Sequence, residues 1–356
     1  MSTFGIMLRE SIRRSPVPGE IPAGERGVWK KVDAASQRLF PPLWGQFLPG
    51  LHREDARLYA AGVALTRDLY LAEGAALTRR DRELVALAVS VDTGSPVGVL
   101  QHARLLGALG DRKLAGLVQR RAVLELEEPR VRALVQTALE RRWASRFEEN
   151  ERADIATIVF ATHYLDRVVG VVGPQAALVR SRLFLPPAFL LARMLGLTRR
   201  WRPGWALSSL YAVGDPTSHL HPKDAQAIEG WTSFPGGETR TMTARFVVGA
   251  IQSVAAELFD NEVLTAIRQH VAQWGGEAIP LVGTWTQAAT RRVQKESNRR
   301  IAEFGLLVAR CPERVSTRGL LDAVGGSDRR RLALVTYAAC SAALRLTEVL
   351  TTSGRR

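Results

Sequence analysis

The stretch TRRDRELVALAVSVDTGSPVGVLQHARLLGALG, from Thr78 to Gly110, decides the fold. Thr78 can cap a helix with its hydroxyl, and Asp81, three residues on, meets the positive end of the helix dipole. The run Leu84-Val85-Ala86-Leu87-Ala88-Val89 is apolar nearly all round, so the helix that carries it must be buried. Asp92-Thr93-Gly94 breaks that helix. Ser95 then caps a second one, with Pro96 at its first position, where the missing N–H costs nothing. The second helix runs to about Leu109 and stops at Gly110. A turn this tight packs the two helices antiparallel. The fold predicted from this pattern is all-α, arranged as helical lobes.

The same periodicity extends outward. Leu58, Val63, Leu69 and Leu71 recur at helix-like intervals from Glu54 through Glu73. Further helices are predicted at about 129–147, 151–170, 186–196, 238–273, 284–309 and 327–352. No convincing run alternates as a strand would. At 356 residues, two domains are favoured over one. The predicted organisation is an N-terminal arm over 1–53, a helical lobe over 54–197, a Gly-, Pro- and Trp-rich connection over 198–237, and a C-terminal helical lobe over 238–356. Trp44 and Phe47 are expected to pin the arm to the body. RRDRELVALAVS (Arg79–Ser90) is faintly echoed by DRRRLALVTYAA (Asp328–Ala339), a hint of duplication.

The net charge is +14, which invites a nucleic-acid or anionic partner. The distribution argues against one. Only five of the 49 basic residues are lysine, and the arginine pairs, such as Arg79-Arg80 and Arg199-Arg200, are scattered instead of gathered into a block. They read as solvated faces, and specific nucleic-acid binding is not expected. Two cysteines, Cys311 and Cys340, support neither a disulfide framework nor a zinc site. The first 24 residues carry early charge and three prolines in place of an apolar core, and the apolar stretch Leu183–Leu197 is short and broken by Pro186, Pro187 and Arg193. A reduced cytoplasm, with no membrane partner, is the expected setting. His219 and His221, with Asp215 and Asp224, have the look of a metal loop, but flanking prolines suggest an exposed turn and no metal site is assigned.

Four residues stand out as acid–base candidates. Glu83 lies in an otherwise apolar helix, where a carboxylate has a raised pKa unless it is paired. His102 shares a helix face with Val99, Leu106 and Leu109, so it points inward. His163 shares a face with Val159 and Arg167, and Asp166, one position off that face, can orient or charge-balance it. Each has a plain structural alternative. Glu83 could answer the helix dipole or pair with Arg79 or Arg80. His102 could be a satisfied core histidine, and His163 with Asp166 a structural hydrogen bond. Ser95 reads as an N-cap.

The spacing of these residues resembles the carboxymuconolactone decarboxylase/AhpD-like family, whose members carry a glutamate, eleven residues, then C-x-x-C-x-x-x-H across a helix–turn–helix. Glu83 stands at the glutamate, Ser95 and Gly98 at the two cysteines, and His102 at the histidine. IATIVFATHYLDRVV (Ile155–Val169) is similar to the family's second conserved helix, with Asp166 at its asparagine. Weaker similarity covers Leu264–Gly276 and Arg329–Leu350. The resemblance implies an AhpD-like helical bundle and a homo-oligomer. It also implies that the redox chemistry is gone, because serine gives no low-pKa thiolate and glycine no sulfur at all. The remaining expectation is a cofactor-independent acid–base enzyme acting on a small organic molecule, by decarboxylation, isomerisation, elimination or cyclisation, plausibly in secondary metabolism. Glu83, His102 and His163 are expected to converge on one pocket, with Asp166 orienting. The alternative is a non-enzymatic scaffold or binding protein with a basic surface.

Overall fold

A computed structural model describes residues 52, 54–70, 75–172, 237–277, 285–315, 319 and 323–353. Among these the chain is all-α, with eleven α-helices and no strand. They are α1 (Ala56–Ala64), α2 (Arg79–Thr93), α3 (Pro96–Ala108), α4 (Arg112–Gln119), α5 (Pro129–Glu140), α6 (Glu149–Val172), α7 (Gly237–Leu258), α8 (Asn261–Ala272), α9 (Trp285–Thr290), α10 (Glu296–Arg310) and α11 (Asp328–Thr352). The predicted helix over 186–196, Trp44, Phe47 and the histidine pair at 219 and 221 lie outside the described residues.

The α2–turn–α3 unit forms as its sequence dictates. Thr78 Oγ accepts from the Asp81 N–H at 3.1 Å. Leu84 through Val89 are wholly buried. Gly94 ends α2 in the left-handed region (φ 68°), which a residue without Cβ adopts freely. The Ser95 N–H reaches back to the Ser90 carbonyl at 3.0 Å and the Gly94 N–H to that of Val91 at 3.4 Å. This six-to-one and five-to-two pairing satisfies carbonyls that the helix end would orphan. Ser95 then caps α3 by accepting from the Gly98 N–H at 3.1 Å.

Around this unit α2 packs against α3, α5 and α6, while α6 runs along α11 and α1 along α7. The apolar residues from Leu58 to Leu350 form one continuous core. α6 and α11, one from each half of the chain, pack against each other within this core. Both are long and apolar enough to cross a bilayer, but 83% and 72% of their most apolar windows are buried against other helices. A helix apolar on every face is buried wherever it lies, and here it lies inside protein.

Three predicted boundaries need correction. The stretch over 238–273 is two helices, because the chain breaks at Phe259-Asp260. The stretch over 284–309 is also two, interrupted between Thr290 and Glu296. The helix predicted to reach 147 ends at Glu140, where Arg141 turns left-handed (φ 52°) and its guanidinium pairs with Asp92. The eight-residue α4 escaped the sequence reading altogether. Scattered arginines pair locally with acids on neighbouring helices, as in Arg80 with Asp111 and Glu128, Arg130 with Glu151, and Arg329 with Asp55.

Candidate functional site

Glu83 sits one turn into α2 and is fully buried. A carboxylate at that depth must be paired or neutral. It is paired on both oxygens. Oε1 lies 2.7 Å from the Arg79 guanidinium, one turn back on the same helix. Oε2 accepts from His102 Nδ1 at 2.7 Å and from the Tyr70 hydroxyl at 3.0 Å. Burial pushes the Glu83 carboxyl up, but Arg79, His102 and Tyr70 together outweigh it and hold the group below its ordinary value. The raised pKa expected of an unpaired carboxyl in this helix is thus reversed by its partners.

An ionised Glu83 fixes the tautomer of His102. The Nδ1 nitrogen must carry the proton it donates, which leaves Nε2 as the ring atom that can exchange one. Among the described residues Nε2 has no hydrogen-bond partner. Tyr70 supports both groups, with its oxygen 3.2 Å from His102 Nδ1 and Arg79 over its ring at 5.9 Å. Burial, then the Glu83 charge, raises the Tyr70 hydroxyl well above its usual range, so it stays a donor.

Tyr70 was not among the sequence candidates. It ends a six-residue π-helical continuation of α1, Leu65–Tyr70. Such wide turns are rare and cluster at functional sites, but no residue pattern announces them.

The His102 ring borders a cleft lined by Tyr70, Val97, Gly98, Gln101, His102, Thr162, Leu165, Asp166 and Val169. Its free space is about 370 Å³, part of it open to solvent, and its enclosed portion is of the size of a water or two. On α6, residues 162, 165, 166 and 169 follow the three–four spacing of one helix face, and that face is the cleft wall.

Asp166 is 5% exposed on that wall. Burial pushes its carboxyl up to about 6, against the opposing pull of His102, Ser90, Ser95 and Arg167. Its neighbour is Gly98. A Cβ at Gly98 would stand 2.2 Å from Asp166 Oδ1 and 2.4 Å from Ser90 Oγ, closer than side-chain carbons approach. The carboxylate therefore occupies the space that any side chain at position 98 would need.

Comparison with protein-family models, with curated proteins and with solved structures gives no match.

The geometry sorts the sequence candidates. Glu83 and His102 meet at 2.7 Å, as expected, and Asp166 shares the cleft with His102. His163 does not join them. Its Nδ1 lies 3.3 Å from Thr93 Oγ and 3.2 Å from an Arg167 nitrogen, and it does not line the cleft. Burial, with Arg167 and Arg141 nearby, drops its pKa well below the usual value and keeps the ring neutral. Nor does Asp166 orient His163: the two side chains leave α6 on adjacent faces, and no hydrogen bond joins them. Ser95 serves as the N-cap. Gly98 serves as clearance for Asp166.

Proposed function

We propose that the chain is a cofactor-independent acid–base enzyme acting on a small organic molecule. The observation that carries this reading is the Glu83–His102 pair at 2.7 Å, with the histidine ring on the border of a cleft. A buried carboxylate that fixes one ring nitrogen and leaves the other to accept a proton is the arrangement of an oriented general base. Asp166, raised to about 6, stands on the same cleft and can return a proton near neutrality. Decarboxylation, isomerisation, elimination and cyclisation can each use such a pair, and the family resemblance at Glu83 and His102 points the same way. An AhpD-like bundle and a homo-oligomer remain part of this proposal.

The competing reading is a scaffold or binding protein, favoured by how little enclosed space the cleft holds. Proton transfer at carbon separates the two. A panel of small enolisable carbonyl compounds is incubated with protein in deuterium oxide, and α-proton exchange is followed by NMR. Exchange above the buffer rate is expected with the wild type, with loss of at least about 100-fold in Glu83→Gln and His102→Gln. His163→Gln should retain it. Equal rates for the wild type and both site variants across the panel would leave only the scaffold.

A further inference from the structure

Two polar atoms of the cleft lining have no hydrogen-bond partner among the described residues, Asp166 Oδ2 and Thr162 Oγ1, and Ser90, which does not line the cleft, stands beside the first of them. All three residues are more than nine-tenths buried. Thr162 and Asp166 sit one turn apart on α6 and both line the cleft. Ser90 adjoins Asp166 across Gly98, since both oxygens fall within 2.4 Å of the same point. The Thr162 hydroxyl is free for a reason that sets it apart. Thr66, Thr157 and Thr347 each donate to the carbonyl four residues back, and Thr162 does not. Buried polar atoms in native proteins are satisfied by protein, water or ligand, and two orphans one turn apart on one wall call for an occupant.

We propose that the cleft takes a small primary amine, its ammonium group held by Asp166 and Thr162 and its carbon chain lying against Val97, Leu165 and Val169. The inference rests on the acid–base reading of the same site for its role as substrate, although binding itself needs only this wall. A buried carboxylate requires a countercharge. Arg167 and His102 act on it only from a distance, and among the described residues no cationic side chain forms an ion pair with it. Arg167 donates to the Ala309 and His163 carbonyls at 2.7 and 2.8 Å, and His102 Nδ1 is spent on Glu83. An ammonium supplies the missing charge and N–H donors enough for both unpartnered cleft oxygens. A carboxylate ligand would be repelled by Asp166, and a ketone offers Asp166 no donor. The apolar residues beside the orphans suit a chain of a few carbons lying in the solvent-open part of the cleft, since the enclosed part has room for little more than the ammonium head.

Ligand-observed NMR titration at one pH and low salt tests this, with n-propylammonium as probe, 1-propanol as its neutral match and propionate as its anionic match. The wild type should bind propylammonium at least about tenfold more tightly than 1-propanol, with propionate weaker still. Asp166→Asn, close in shape, should erase that preference, and Thr162→Val should weaken amine binding a few-fold. Circular dichroism checks each variant's fold. If Asp166→Asn does not fold, the wild-type preference and Thr162→Val decide. Absence of propylammonium binding, equal binding of amine and alcohol, or a preference that survives Asp166→Asn overturns the proposal. Its failure is separable from that of the acid–base reading. Exchange dependent on Glu83 and His102 without amine preference removes only the amine site. Amine preference without such exchange removes only the catalytic reading.

Discussion

Gly98→Ala is the most informative single change, because two opposing effects meet there and the structure assigns their sizes. Gly98 lies in the first turns of α3, and alanine in place of glycine in a helix ordinarily stabilises by about 1 kcal/mol. At this position the added carbon would stand 2.2 Å from Asp166 Oδ1, 2.4 Å from Ser90 Oγ and 3.0 Å from Asp166 Cγ. Ordinary van der Waals contact lies more than about 1 Å beyond the first of these, so the carboxylate has to move by about that much. It is buried on a helical wall, and over-packing of this kind costs about 1–3 kcal/mol. The net expectation is a loss of up to about 2 kcal/mol, against the gain a helical glycine would normally give. Urea unfolding measures it, and a double-mutant cycle isolates the clash. In an Asp166→Ala background the nearer obstacle is gone and only the Ser90 hydroxyl, 2.4 Å away and able to rotate, remains, so Gly98→Ala should lose most of its cost, leaving a coupling of about 1–3 kcal/mol. If Gly98→Ala stabilises equally in both backgrounds, the carboxylate does not occupy that space and the account of the cleft is wrong.

Three further outcomes are expected. Asp166 holds a folded pKa of about 6 against an ordinary 3.8, so the fold retains its proton where the unfolded chain has lost it, and this group's contribution to stability falls as pH rises from about 4 to 6. The stability difference between wild type and Asp166→Asn should therefore shift by up to about 3 kcal/mol in the variant's favour between pH 4 and pH 7, and a flat difference in urea unfolding would contradict it. Glu83→Ala strands Arg79, His102 and Tyr70 around a lost charge and should cost about 3–5 kcal/mol at neutral pH, whereas a cost below about 1 kcal/mol would mean the pair is not integral to the fold. Hydroperoxide turnover should be absent: Ser95 and Gly98 provide no thiol, both cysteines are buried, and burial raises Cys311 to about 11 and Cys340 higher still. Steady-state turnover that survives Cys311→Ser and Cys340→Ser would show otherwise.

What the chain discloses by itself depends on whether local rules or tertiary contacts decide each feature. The α2–turn–α3 unit is written locally: a capping hydroxyl, an all-apolar run, a glycine where φ must be positive, and a serine–proline restart. Each of these does in the structure what its chemistry requires. The breaks at Phe259-Asp260 and before Glu296 are less visible, because apolar periodicity continues across them and length alone suggests one helix. Tyr70 was not legible at all. It reaches Glu83 only because α1 widens into π-helical turns, which no propensity encodes. The fully buried pairing of Glu83 was open from the start, since Arg79 is one turn back and its alternative role as a partner was evident. What the sequence could not reveal is that arginine, histidine and tyrosine all act on the same carboxylate at once.

The choice between His163 and Asp166 shows where helical phase outweighs chemical familiarity. A histidine beside an aspartate suggests a base and its orienting acid, and that pairing places both in the site. Three residues apart on a helix, the two are displaced by about 60° around the axis, enough to send them to different neighbours. Residues 159, 163 and 167 form one stripe, on which His163 meets Arg167. Residues 162, 165, 166 and 169 form the next, and these line the cleft. The stripe that holds Asp166 also holds Thr162, and it faces Gly98 on α3, the position without a side chain. Taken together, these three positions describe one exchange of space: a glycine on one helix admits a carboxylate from another. The site's second acid is therefore legible only from the two helices jointly. Periodicity on α6 says which residues share a wall, but only the missing Cβ at Gly98 says which wall has room for a charge.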